Sequence, residues 1–153
     1  MAMKTSRKAG EADQGIGRLL KRAEQALLRA KSAALKPAGL TLAQYVALGE
    51  LEQQQGIAAA TLARACLVTP QAMMIVLKTM EQQGLISRVP HARHANVLEL
   101  HITDVGREAL HAARAQVGPL ERRVTDAYSA KEMATLRDLL ARFIEAVGPE
   151  DQN

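Results

Sequence analysis

Between Pro37 and Gly84 the chain is cut into three short helical segments by its own punctuation, and no other feature limits the fold as much. Pro37 and Gly39 end whatever helix precedes them, and Gly56 and Gly84 are natural helix stops. Thr41-Leu42-Ala43-Gln44 matches a capping box, with Leu40 and Tyr45 in the staple positions around it. Thr69-Pro70 places an N-cap threonine before a proline at the first helical position, with Val68 and Met73 as its staple pair. The expected helices run from Thr41 to about Gln55, from Ala58 to Leu67, and from Pro70 up to Gly84. Directly after them, Leu85–Arg88 and Val97–Ile102 read as short strands around the turn-like Val89–Asn96, which makes a hairpin.

Longer helices flank this middle region. Ile16, Leu19, Leu20, Ala23, Leu27 and Ala30 recur at helical spacing as far as Lys36, while residues 1–12 are polar and read as a mobile tail. Downstream, Thr103 caps a fifth helix that Gly118-Pro119 is expected to interrupt or kink. Ser129-Ala130-Lys131-Glu132 is a second capping box, and the helix it opens carries the stripe Met133, Leu136, Leu139, Leu140, Phe143, Ile144 and Val147. Together with the stripe on the first helix, this is more apolar surface than three short helices can cover, so a second copy of the chain is expected to bury it. The expected division is a tail over 1–12, a dimerisation helix over 13–36, a middle region over 37–103 and C-terminal dimerisation helices over 104–148.

Several function classes fall away on composition. Only three of 153 residues are aromatic, so the stacking platforms of single-strand and RNA binders are hard to build. A single cysteine, Cys66, cannot pair within the chain. It has no basic neighbour in sequence to stabilise a thiolate and reads as a structural thiol. His91-x-x-His94 has no cysteine or carboxylate partner close by, and with His101 and His111 these read as surface or packing histidines, so no metal or other cofactor is expected. No nucleophile motif, Walker loop or metalloprotease motif is present, so the chain is not expected to be an enzyme. With no apolar run long enough to span a membrane and no signal-peptide pattern, a cytoplasmic protein is expected. The net charge of +4 favours acidic partners but is uneven. Residues 1–36 carry nine Lys/Arg against three Asp/Glu, residues 37–103 four against four, and residues 104–153 seven against nine.

Three short helices followed at once by a hairpin is the order of a winged helix-turn-helix, in which one helix enters the major groove of duplex DNA and the hairpin reaches along the backbone. The fold class is thus mainly α, an α+β winged helix-turn-helix between flanking dimerisation helices. At about 100° per residue, Val76, Leu77 and Met80 share the inner face of the fourth helix with Met73, and Gln71, Met74, Ile75 and Lys78 spread over the outer one. Gln71 can bridge adenine, Met74 and Ile75 can pack on thymine methyls, and Lys78 can reach a phosphate or guanine. The candidate DNA-binding residues are Thr69, Gln71, Ala72, Met74, Ile75 and Lys78, with Arg88, Arg93, His94 and Asn96 on the hairpin.

Four pieces in register carry a resemblance: Leu40-Thr41-Leu42-Ala43-Gln44-Tyr45, Thr61-Leu62-Ala63-Arg64, Met80 through Arg88, and Ile102-Thr103-Asp104-Val105-Gly106. With these the chain resembles the MarR (multiple antibiotic resistance regulator) family of transcription factors over about residues 13–148. The resemblance implies a homodimer built on the first, fifth and sixth helices, a pseudo-palindromic operator in double-stranded DNA, and a repressor controlled by a small molecule, often a phenolic acid, or by oxidation. The implied effector site, where the dimer helices meet the reader, would be lined by Leu20, Ala23, Leu27, Tyr45, Leu48 and His111. Three departures stand out. Ala58-Ala59-Ala60 lacks a capping hydroxyl, Ile75 stands where many members are polar or basic, and His94-Ala95-Asn96 replaces the frequent Asp-x-Arg of the wing, leaving either Arg93 or the histidines, when protonated, to take its place. The neutral middle region keeps open an alternative, a winged-helix dimer that has lost operator binding and acts in protein interaction.

Overall fold

The structure, a computed structural model, describes the backbone of residues 6–148 and the side chains of residues 15–148 other than Ala95 and Asn96. Part of the expected N-terminal tail, residues 1–5, lies outside the described residues. The chain divides into two compact units, Met1–Val117 and Gly118–Asn153.

In the first unit, α1 spans Ser6–Leu35, so its helical backbone starts well before the apolar pattern at Ile16. A 3-10 turn over Lys36–Ala38 closes on Gly39, which takes φ +68°. Helix α2 (Leu42–Gln53) opens with the expected capping box: Thr41 Oγ1 accepts from Gln44 N at 3.2 Å, and Gln44 Oε1 accepts from Thr41 N at 3.0 Å. Gln44 is also the one buried polar residue among the described residues, and its amide nitrogen donates to Gln83 Oε1 at 2.8 Å. A single side chain thereby ties the start of α2 to the end of α4.

Helices α3 (Ala59–Ala65) and α4 (Pro70–Gln82) follow, then β1 (Ile86–His91) and β2 (His94–Ile102). The strands pair antiparallel from Ile86 opposite Ile102 to Pro90 opposite Leu98, with an irregularity before His91 meets His94. The hairpin is therefore longer than expected and turns at Ala92-Arg93. Pro90 does not stop it, because a two-stranded ladder leaves an outer edge where a missing N–H breaks no bond. On its other side β2 gains an isolated bridge from Ile57, with Gly56 N donating to Leu100 O at 2.9 Å and Leu100 N to Ile57 O at 3.0 Å. Ile86, Leu100 and Ile102 turn inward onto a core that includes Leu48, Leu51, Leu62, Met73, Leu77 and Met80.

Helix α5 spans Asp104–Asp126. Its cap is Thr103, whose Oγ1 accepts from Gly106 N at 3.0 Å and donates to the Gly84 carbonyl at 2.6 Å. Of the expected interruption or kink at Gly118-Pro119, the interruption does not occur: helical backbone continues through Pro119, the bonds on either side holding the helix across the one that proline cannot make. The division between the two units nevertheless falls between Val117 and Gly118. In the second unit α6 (Ala130–Val147) opens with the other expected capping box, and no residue of it is buried. There Ser129 N and Oγ both donate to Glu132 Oε2, which lowers the Glu132 carboxyl below its ordinary range.

Candidate nucleic-acid interface

Helices α3 and α4 and the turn between them form the first part of the site. Leu67 N donates to Arg64 O and Val68 N to Ala63 O, the bond pair of a Schellman stop. Its pivot is Leu67 at φ +55°, the only non-glycine with positive φ among the described residues. The same bond pair ends α4, where Gly84 N meets Glu81 O and Leu85 N meets Met80 O around a glycine at φ +71°. Beyond the turn Thr69 caps α4, its Oγ1 accepting from Ala72 N at 3.2 Å. This leaves the first turn of α4 ordered and exposed.

The two faces of α4 separate as the periodicity predicts. Met73, Leu77 and Met80 are buried, and Gln71, Met74, Ile75 and Lys78 are exposed on the outer side. Ala72 is exposed too but turns toward a cavity of about 580 Å3 that it lines with Met73 and Val76, opposite Glu24 and Leu28 of α1 and Leu42, Ala43 and Val46 of α2. Cys66 borders the same cavity. Burial, with the nearby Glu50 carboxylate adding to it, raises its thiol to about 11, so the thiol stays protonated at neutral pH.

The hairpin candidates differ in freedom. Arg88 is half-buried with Nε 2.8 Å from Glu81 Oε1, an ionic contact that braces β1 against α4, although Nε is not aligned for a hydrogen bond. Arg93 stands exposed at the tip, where its backbone N donates to His91 Nδ1 at 3.0 Å. His94 is exposed, with its ring 5.2 Å from that of His91. Asn96 lies in β2 and its side chain is outside the described residues. Sequence reasoning missed Glu99, which sits between two histidines, 3.6 Å from His91 Nε2 and 3.3 Å from His101 Nε2. The alternation of the longer ladder, with Val89 opposite Glu99 and Ser87 opposite His101, is the signal that could have found it.

These pairings alter the electrostatics that the charge count suggested. Of the four acids between residues 37 and 103, Glu81 is held by Arg88, Glu52 by Arg114, and Glu99 lies between histidines. Lys78 and Arg93 are in no ion pair among the described residues. The outer side of α4 and the hairpin tip therefore present cations whose field is not cancelled at contact range, in a stretch, residues 37–103, that is neutral by count.

The six residues expected to line an effector site are spread over three helices. Leu20 of α1 and Tyr45 of α2 are half-buried, Ala23 and Leu27 of α1 and His111 of α5 are exposed, and Leu48 of α2 is fully buried in the core. Ala23 borders a groove of about 420 Å3 along α1 with Leu19, Arg22 and Arg29, and no described cavity gathers all six.

Comparison with known proteins agrees with this geometry. Residues 38–95 match the model of the MarR family. The HTH-type transcriptional repressor Rv2887 of Mycobacterium tuberculosis is 35% identical over 131 residues, covering 86% of this chain and 94% of that protein. The crystal structure of Rv2887 in complex with DNA is 36% identical with a TM-score of 0.66, over 83% of this chain and 95% of that one. Its complex with salicylic acid is 35% identical with a TM-score of 0.65, over 83% and 94%. The transcriptional repressor CouR bound to a 23-mer DNA duplex is 26% identical with a TM-score of 0.79, over 88% and 95%.

Proposed function

The chain belongs to the MarR family of transcriptional regulators, and from that footing we propose that it is a homodimeric repressor that binds a pseudo-palindromic operator in double-stranded DNA and is released by a small phenolic ligand. The observation that carries the reading is the outer side of α4: an ordered, capped first turn, exposed Gln71, Ile75 and Lys78 in line along it, and a separate unpaired cation at Arg93 on the hairpin tip. Such an arrangement fits a helix laid in the major groove with a wing beside it. We assign base or backbone contact to Thr69, Gln71, Met74, Ile75, Lys78, Arg93, His94 and Asn96, and leave out Ala72, which turns to the cavity facing α1 and α2. Arg88 acts mainly by holding the wing to α4.

A second copy completes the molecule. Leu139, Ile144 and Val147 of α6 and Ile16 and Leu19 of α1 are exposed in one chain, an apolar area that association removes from water. The protein works by binding rather than catalysis, in the cytoplasm, and among the described residues no single helix is long and apolar enough to cross a membrane. The phenolic ligand we place with Leu20, Ala23, Leu27, Tyr45 and His111, leaving out Leu48, which is closed off in the core; salicylic acid in the solved relative supports that ligand class. Ligand release needs different affinity for the DNA-bound and free dimer shapes, and a coupling of about 1–3 kcal/mol weakens DNA binding roughly 5–150-fold.

The test is binding to duplexes enriched from a randomised pool, titrated with salt and then with salicylate. Affinity is expected to fall steeply with salt, Lys78→Ala to flatten the slope by about one per protomer, and salicylate to release the duplex. No enriched duplex at low salt would leave a winged-helix dimer without an operator. An enriched duplex unmoved by any phenolic acid would remove the ligand and keep the repressor.

A further inference from the structure

The outer face of α4 offers few hydrogen-bonding groups to a base. Ile75 lies at its centre with 71% of its surface exposed, and Met74, 46% exposed, flanks it. Gln71 precedes Ile75 by one turn and Lys78 follows by one. The neighbouring polar groups are engaged within the helix: Thr69 Oγ1 accepts from Ala72 N, and Thr79 Oγ1 donates to the Ile75 carbonyl at 3.3 Å. Arg88 is held by Glu81. The polar readers on the first three turns reduce to the Gln71 amide and the Lys78 ammonium, with a branched hydrocarbon between them.

Every base pair presents hydrogen-bond donors or acceptors in the major groove, but the only apolar group among them is the C5 methyl of thymine. An isoleucine pressed on a cytosine amino group or a guanine carbonyl would take water from a polar atom and return no hydrogen bond. Pressed on a thymine methyl, it removes apolar surface from water on both sides. We infer that Ile75, flanked by Met74, is a specificity-determining residue that reads thymine through its methyl group, so that the operator carries a thymine opposite Ile75 in each half-site. The inference rests on the reading of α4 as the DNA-binding helix and states what that helix recognises.

Replacing thymine by deoxyuridine removes the methyl and leaves the hydrogen-bonding pattern unchanged. In a duplex enriched from a randomised pool, each thymine is replaced in turn by deoxyuridine and binding is measured at fixed salt. One thymine per half-site is expected to lose about fourfold in affinity on replacement, the factor for burying one methyl-sized group, and about fifteenfold when both half-sites are changed. Ile75→Ala, at an exposed position where the helix has nothing to lose in packing, is expected to bind thymine and deoxyuridine duplexes alike. Equal binding of both duplexes by the unaltered protein overturns the inference and leaves the repressor standing. A thymine preference undiminished in Ile75→Ala overturns the assignment to this residue. Failure to enrich any duplex overturns the repressor reading together with the inference.

Discussion

The helix-turn-helix region and α6 carry the same kind of sequence signal and reach opposite ends. In the reader the apolar positions at helical spacing disappear: Leu48, Leu62, Leu77 and Met80 are fully buried among neighbours from the same unit. On α6 the stripe is as regular, yet Leu139 is 52% and Ile144 67% exposed, and no residue is buried. A helical stripe states that a face will be covered but not by what. In the reader the cover is supplied by short helices and a hairpin that the following residues fold back. On α6 no element of the same chain supplies it, and we propose that another copy does.

If the reader is closed by its own residues, overfilling it will unfold it. The tightest point is Gly106, where a Cβ would overlap the Leu85 carbonyl oxygen and stand 2.9 Å from Ile102 Cγ1. The same carbonyl accepts from Thr103 N at 3.1 Å, so the start of α5, the end of α4 and the end of β2 meet there with no room to shift. Gly106→Val is expected to destabilise the protein by about 3 kcal/mol or more, the upper range for overpacking. A urea midpoint unchanged from the parent would mean that the junction is loose and that the reader is less self-contained than the comparison holds.

Charge on α6 tests the other half. Leu139→Asp with Ile144→Asp puts two carboxylates on the stripe at positions that are exposed in a single chain. Dimer affinity is expected to weaken by about 2 kcal/mol or more, roughly thirtyfold, as for interface hot spots. Light scattering at micromolar concentration reads this as a mass falling toward the 16.5 kDa of one chain. Urea denaturation of the reader core should then depend less on protein concentration. A variant that remains dimeric would show that α6 is not the interface.

Much of this was legible in the sequence because it is local. The capping boxes at Thr41 and Ser129, the cap at Thr69, the stop at Gly84 and the inner face Met73, Leu77 and Met80 all follow from residues within a turn or two of each other. What stayed hidden depends on partners distant in the chain. The Ile57 bridge to Leu100 is one residue long and has no alternation to read. Arg88 is tied to Glu81, seven residues earlier and on another element, and Glu99 acquires its histidines only through the ladder register. Leu48 shows the limit on the site side. Helical position could assign it to a ligand wall or to the core, and the answer, full burial, depends on what packs over α2.

The smallest expected effect concerns the place where the reader departs from its own economy. Leu67 pivots the stop between α3 and α4 at φ +55° and is 93% exposed, so it adopts a conformation that favours glycine and contributes almost no burial in exchange. Gly84 performs the same turn at the end of α4, and a Cβ there would meet nothing within 4 Å. The two positions share the same bond pair and the same left-handed backbone, so changing the residue type at each probes the cost of a side chain there. Gly84→Ala is expected to lose about 1 kcal/mol, the left-handed penalty of an L-residue, and Leu67→Gly to recover a similar amount less about 0.5–1 kcal/mol of added unfolded-state entropy. Leu67→Gly should thus shift the melting temperature upward by no more than about 1–2 °C. A clear loss of stability in Leu67→Gly would mean that Leu67 packs against something after all, and that the boundary between covered and uncovered apolar surface does not follow the edge of the reader.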